Sequence, residues 1–230
     1  MMNADSWDSL VHNKRAALFS SIPQEWRLPD VPSPDRCLNV IDWPRIVLSS
    51  EEVLITEAPP LVILTNIHAL VWRSEDVTRA FCHRAAVAHQ LTNCLTEVMF
   101  GTAIETAKEL DQYQRDGHGL KGPLHGLPLS FMDRFRIAGV ETSSGFVAWL
   151  GHKELPQDEG PLVRYVRSLG AIPICKTNVP QSLMLGNTSN NIFGSTLNPY
   201  NRKLSAGGAA GGEKPSLHIA ISRLELSSYR

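Results

Sequence analysis

Charge of one sign is what this sequence lacks first. Its 230 residues carry 22 Lys and Arg against 23 Asp and Glu, a net charge of −1. With no basic excess to neutralise phosphates, electrostatic binding to nucleic acid is not expected. Long hydrophobic runs are missing too. The most apolar stretch, Pro59 to Trp72, is interrupted by Asn66 and His68. It falls short of the roughly 20 apolar residues that a bilayer span needs. Met1 to Leu10 is polar, without a signal-peptide apolar region, so a cytoplasmic protein with no membrane partner is expected. Cysteine is sparse: Cys37, Cys82, Cys94 and Cys175 lie far apart and no Cys-x-x-Cys occurs. That argues against a zinc site and against a disulfide framework. The eight histidines show no metal-ligand spacing, and no metal or cofactor is expected. What remains is ordinary globular composition, 43% hydrophobic and 20% charged, which excludes a disordered chain. The length allows one large domain or two small ones.

Along the chain, Ser6 can cap a first helix in which Trp7, Leu10, Val11, Ala17 and Leu18 recur at near-helical spacing and which Pro23 ends. From Ile22 to Pro60 seven prolines deny backbone donors to regular structure, so this stretch reads as an extended arm lying on something else. Ser74 caps a stronger helix, with Glu75 and Asp76 in its first turn. Val77, Ala80, Phe81, Arg84, Ala85 and Ala88 form its inner face, with the Arg84 stem at the margin. A further helix spans about Thr102 to Arg115 and stops at Gly117. Leu127 to Phe131 reads as a strand, Asp158 to Leu169 as a helix closed by Gly170, and Ala171 to Cys175 as the strand after it. Helix, turn and buried strand in that order indicate α/β architecture.

The glycine run Ser205 to Glu213 is the loudest local signal. It is no phosphate loop, because Glu213 precedes Lys214 where Gly-Lys-Ser/Thr would be needed. It can be a flexible loop, or backbone that must approach a ligand closely.

The order of motifs is more specific. Gly122-Pro-Leu-His-Gly-Leu-Pro-Leu-Ser-Phe-Met-Asp133 resembles the G-P-L-H-G-x-P-x-S-x-K-D segment of amidase signature enzymes. Lys176-Thr-Asn-Val-Pro-Gln181, Asn190-Asn-Ile-Phe-Gly194, Asn198-Pro199 and Gly207-Gly-x-x-Gly-Gly-Glu213 match that family's next segments in order. Upstream, Phe81-Cys-His-Arg-Ala-Ala and Asn93-Cys-Leu-Thr-Glu97 resemble its fungal acetamidase-type branch, as does Trp7 to Trp26. The resemblance covers roughly Trp7 to Glu213.

It implies a Ser–cis-Ser–Lys triad. A buried, neutral lysine acts as base through a bridging serine beside a cis peptide bond. A second serine attacks the amide, and backbone amides of a glycine-rich loop stabilise the oxyanion. Carried over residue by residue, the lysine falls on Met132, the bridging serine on Ala209 and its serine neighbour on Ala210. A thioether takes no proton near neutral pH, and alanine has no hydroxyl to relay one. The nucleophile's later G-T-D-x-G-G-S segment does not occur in these residues. Leu183 falls near the family's substrate pocket, and Gly207, Gly208, Gly211 and Gly212 on its loop. Asp133, His125 and Cys175 are weighed as substitutes and read as structural: a motif carboxylate, a hydrogen-bonded loop histidine and a small core residue. Lys176 is the other buried-lysine candidate, in a scaffold segment.

Past Glu213 the resemblance stops. A one-base change of reading frame there converts an allowed codon set for Glu213 to His218 into Glu-Glu-Ala-Leu-Ile-Ala, which fits the family. Lys214 to Arg230 is therefore expected to be an out-of-frame tail, a reading the gene sequence tests. Three segments follow: residues 1–72 as a helix and proline-rich arm, 73–213 as the first part of an amidase signature α/β/α core, and 214–230 as a divergent tail. An open sheet edge and exposed apolar surface are expected, with marginal stability. The functional expectation is an amidase-lineage protein that is itself inactive. Its alternatives are a functional amidase of small carboxamides in a fungal secondary-metabolite pathway, with the gene product cut short, or a non-catalytic binding or regulatory partner of a full-length amidase. A small-molecule amide is the expected ligand, and a homodimer or a full-length amidase the expected protein partner.

Overall fold

The computed structural model describes residues 7–213 and 225–226. The chain begins with α1 (Trp7–Ser20), then a single 3-10 turn at Gln24–Trp26. The proline-rich stretch that follows is extended only in its first part. Its second part folds into α2 (Trp43–Val47), α3 (Ser50–Glu57) and α4 (Pro60–His68), which corrects the expectation of an extended arm. Position explains the difference. Pro44 and Pro60 each stand in the first turn of a helix, where the missing donor is not needed and the fixed φ is already helical. Ser49 and Glu52 add a full capping box to α3. The proposed Ser6 cap lies outside the described residues.

α5 (Ser74–Thr92) is the central helix. Its N-terminus is not capped by Ser74, which is itself the first helical residue. The carboxylate of Asp111 instead accepts from the backbone of Ser74 at 2.7 Å and of Glu75 at 3.0 Å, so the cap arrives from another helix. Arg84 is not marginal either. It is 3% exposed and donates to Thr56 Oγ1 at 2.8 Å, because α3 covers the face that an isolated helix would show to water. Cys82, Ala86 and Val87 are buried as well, so the helix is enclosed on more than one face.

β1 (Leu95–Val98), α6 (Phe100–Tyr113), β2 (Pro128–Met132), α7 (Pro161–Ser168) and β3 (Ile172–Thr177) complete the core. β1 had no periodicity to announce it, being four residues long. α7 starts three residues later than its sequence pattern, at Pro161, and Gly170 closes it with φ +92°. β4 (Ser189–Asn190) and β5 (Gly194–Ser195) form a small hairpin, and β6 is Glu225–Leu226. The main sheet runs β1-β3-β2-β6. β2 and β3 are parallel, joined by a crossover that carries α7, and β1 is antiparallel to β3. β2 and β3 are buried at every residue, as strands covered on both faces must be. The β2 edge is not wholly open: Ser130 pairs with Glu225 and Phe131 with Leu226. The remainder of the tail lies outside the described residues.

Arg202 fastens the arm to the core. It donates to Leu91 O at 2.8 Å and to Pro32 O at 2.7 Å while only 4% exposed. No helix among the described residues is long and apolar enough to cross a membrane.

Candidate active site

The C-terminal ends of β2 and β3 point the same way because the strands are parallel. In open α/β sheets ligands bind at such ends. Met132 closes β2 and is 1% exposed. Asp133, the next residue, is 1% exposed and sits 2.6 Å from the Lys176 ammonium on the neighbouring strand. Lys176 is fully buried. Its other two donations go to Glu141 O at 2.7 Å and Thr142 Oγ1 at 2.9 Å. The second oxygen of Asp133 accepts from the backbone and hydroxyl of Ser143, and its carbonyl accepts from Ser144 N at 3.0 Å. The carboxylate therefore orders a loop, and the lysine is spent on an ion pair. Asp133 has the structural role that its motif suggested, and Lys176 is no free base.

The glycine run closes the site from the other side. Gly208 has φ +87°, and its N–H donates to Gly186 O at 2.8 Å. Thr188 Oγ1 donates to Gly208 O at 2.7 Å. At Gly211 an added Cβ would fall 1.7 Å from Thr188 Oγ1, and at Gly212 it would fall 2.4 Å from both the N and the O of Asn178. The close approach at Gly211 and Gly212 is to the protein's own atoms, the Thr188 side chain and the Asn178 backbone, and not to a ligand. Gly207 has ordinary space. Ala209 and Ala210 lie half-buried between these fixed points. No cis peptide bond occurs among the described residues.

Glu213 ends the loop and is 1% exposed. Ser130 Oγ donates to it at 2.8 Å and Thr177 Oγ1 at 2.7 Å, so the loop is tied to the middle of β2 and the end of β3. Sequence reading treated Glu213 only as a motif end. A buried acid facing two strand hydroxyls is visible only once β2 and β3 are side by side. Asn178 was missed for the same reason. It donates to Thr196 Oγ1 at 2.9 Å and accepts from Asn190 Nδ2 at 2.7 Å, joining β3 to the hairpin.

Leu183 is half-buried in a turn after β3 with φ +64°, following Ser182 at φ +57°. Ser182 N donates to Ser144 O at 3.3 Å, and Ser144 also has a positive φ of 46°. Non-glycine residues in this region are uncommon and gather at functional sites. The turn thus rests on the loop that Asp133 holds.

Of the remaining candidates His125 lies in its own turn, and Cys175 sits within β3 opposite Ser130. His125 is buried in its turn and accepts from Lys121 N at 3.0 Å through Nδ1; burial lowers its pKa. Cys175 is fully buried within β3, which runs two residues beyond it, and burial pushes its thiol well above the usual value. Such a thiol is no nucleophile. No group of three metal-ligating side chains occurs among the described residues.

Comparison with known proteins agrees with this arrangement. A family model described as Amidase matches residues 76–221. The chain is 43% identical over 210 residues to the acetamidase of Emericella nidulans, covering 90% of this chain and 37% of that protein. It is 35% identical to a probable amidase of Saccharomyces cerevisiae, over 90% of this chain and 38% of that one. Among solved structures, fatty acid amide hydrolase superposes with a TM-score of 0.89 at 30% identity, over 96% of this chain and 40% of that one. The peptide amidase of Stenotrophomonas maltophilia superposes with a TM-score of 0.64 at 28% identity, over 71% of this chain and 35% of that one. The chain thus spans about two fifths of the length of the relatives it matches. The α/β sheet with two parallel central strands, the ordered motifs and these matches together place the chain in the amidase signature family.

Proposed function

We propose that this amidase-lineage chain does not hydrolyse amides by the family's triad. The observation that carries the reading is Met132. It closes β2, buried, at the position where the resemblance puts the lysine base. A thioether is only a weak acceptor and cannot take a proton from a serine. The buried lysine nearby, Lys176, is paired with Asp133 and cannot stand in without breaking that pair. At Ala209 there is no hydroxyl to relay a proton. In a serine hydrolase, loss of one catalytic group can cost on the order of ten-thousand- to million-fold in turnover.

The test is a chimera in which residues 7–213 replace the matching part of the Emericella nidulans acetamidase. The chimera should fold and show no turnover of small carboxamides above background. Met132→Lys with Ala209→Ser should restore turnover in it. Hydrolysis by the unmodified chimera would refute the reading.

A second reading, association with a full-length amidase, is favoured by one observation. Met184 and Leu185, next to the turn that carries Leu183, are 80% and 56% exposed. Pairs of bare apolar side chains beside a site suit a protein contact. Co-purification with the full-length relative supports this reading, and a monomer at high concentration in its presence counts against it.

A further inference from the structure

α1 has little apolar hold on the core. Only Val11 and Leu18 are buried among its residues, while Trp7 and Phe19 are 58% and 48% exposed. Its hold is polar instead. The Lys14 ammonium contacts Glu97 on β1 and lies 3.1 Å from Glu141 Oε2. All three side chains are largely buried, at 13%, 15% and 16% exposure. Arg15 adds donations to the carbonyls of Ile192 and Asn191. Between the helix and the core is a cavity of about 340 Å³ lined by Lys14, Ala17, Leu18, Glu97, Glu141 and Leu150. Nothing in the amidase reading uses this cluster.

Its far end reaches the site. Glu141 is the residue whose carbonyl accepts from Lys176 at 2.7 Å. Lys176 in turn holds Asp133 at 2.6 Å, beside Met132. Four residues from four segments thus form one polar chain, Lys14 to Glu141 to Lys176 to Asp133. Lys14 is the one cation in contact with both Glu97 and Glu141 among the described residues. Burial raises the pKa of Glu97 despite the pull of Lys14, so this carboxylate depends on its partner. Remove Lys14 and two buried carboxylates are left without the cation between them. Glu141 is then pushed outward, and its carbonyl leaves Lys176.

We propose that α1 is a charge-latched strap, in which Lys14 sets the position of the Glu141–Gly145 loop and through it the Lys176–Asp133 pair. Lys14 is a positioning residue; it touches no reacting group. Release of the strap loosens the site without altering any side chain in it.

Hydrogen exchange on the whole chain tests this. In Lys14→Met, exchange should rise at least tenfold both in residues 7–20 and in residues 141–145. Lys14→Arg should restore protection in both. The decisive variant is Lys14→Met with Glu97→Gln, which removes the repulsion without restoring the latch. Protection should return at 141–145 while residues 7–20 stay loose. Lys14→Gln is the milder change if Lys14→Met does not fold, with the same expectation. Faster exchange confined to residues 7–20 in the single variants Lys14→Met or Lys14→Gln would overturn the proposal, as would failure of the added Glu97→Gln to restore the loop.

Discussion

Lys176→Met asks what the buried pair at the end of β3 contributes. The ammonium lies 2.6 Å from the Asp133 carboxylate, with side chains 0% and 2% exposed. At an effective dielectric of about 20, two unit charges at this distance attract by about 6 kcal/mol. Taking both ions out of water offsets most of that, so the pair itself adds little net stability. Removing one partner is different, because Asp133 then stays buried with its charge uncompensated. The Ser143 donors remain, but two donations, to Glu141 O and Thr142 Oγ1, go with the lysine. The expected loss is about 3–5 kcal/mol, the range for breaking a buried pair. For a chain of this size that is a fall of about 6–20 °C in melting temperature. Urea titration followed by circular dichroism measures it, with Lys176→Met/Asp133→Asn as the control. The double variant removes the stranded charge and should recover about half of the loss. A single-variant loss under about 1 kcal/mol would refute the argument, and so would a double variant no more stable than the single one.

Other substitutions follow from the same contacts. Gly212→Ala drives a Cβ to 2.4 Å from the backbone of Asn178, which cannot swing away. It should cost about 1–3 kcal/mol by urea melt, whereas Gly207→Ala, with ordinary space, should cost under about 1 kcal/mol. Glu213→Ala removes the acceptor of the Ser130 hydroxyl and leaves Thr177 Oγ1 the 3.4 Å contact with Phe131 O, and should cost about 1–3 kcal/mol, read as a shift of the urea midpoint. His89 is half-buried, accepts from Leu95 N at 3.1 Å through Nδ1, and desolvation lowers its pKa to about 4. A folded value below the unfolded one means that protons favour the unfolded chain. Its contribution is therefore complete above about pH 6.5 and falls away down to about pH 4, by on the order of 3 kcal/mol. His89→Gln should flatten the stability profile in that window; an unchanged slope would show that other groups set it.

Short apolar runs beside glycine and proline were enough for β2 and β3, and a closing glycine for α7. The ordered motifs were enough for the family. The arm was misread because proline counts against helix in its interior yet favours the first turn, and composition does not say where a turn will begin. Ser74 was misread as a cap because Asp111, 37 residues on, does that work, and no local signal reports a remote carboxylate.

The sequence by itself determined which side chains stand where the resemblance puts the lysine and the bridging serine. Methionine at 132 and alanine at 209 are chemical identities, and no fold can give them a proton to carry. Only the tertiary structure decided what the remaining polar residues do. Lys176 and Asp133 are 43 positions apart and meet because two parallel strands set them side by side. Lys14, Glu97 and Glu141 meet because a helix from the chain's start crosses the edge of that sheet. A buried charge needs a partner at contact distance, and contact distance is a property of the folded chain alone.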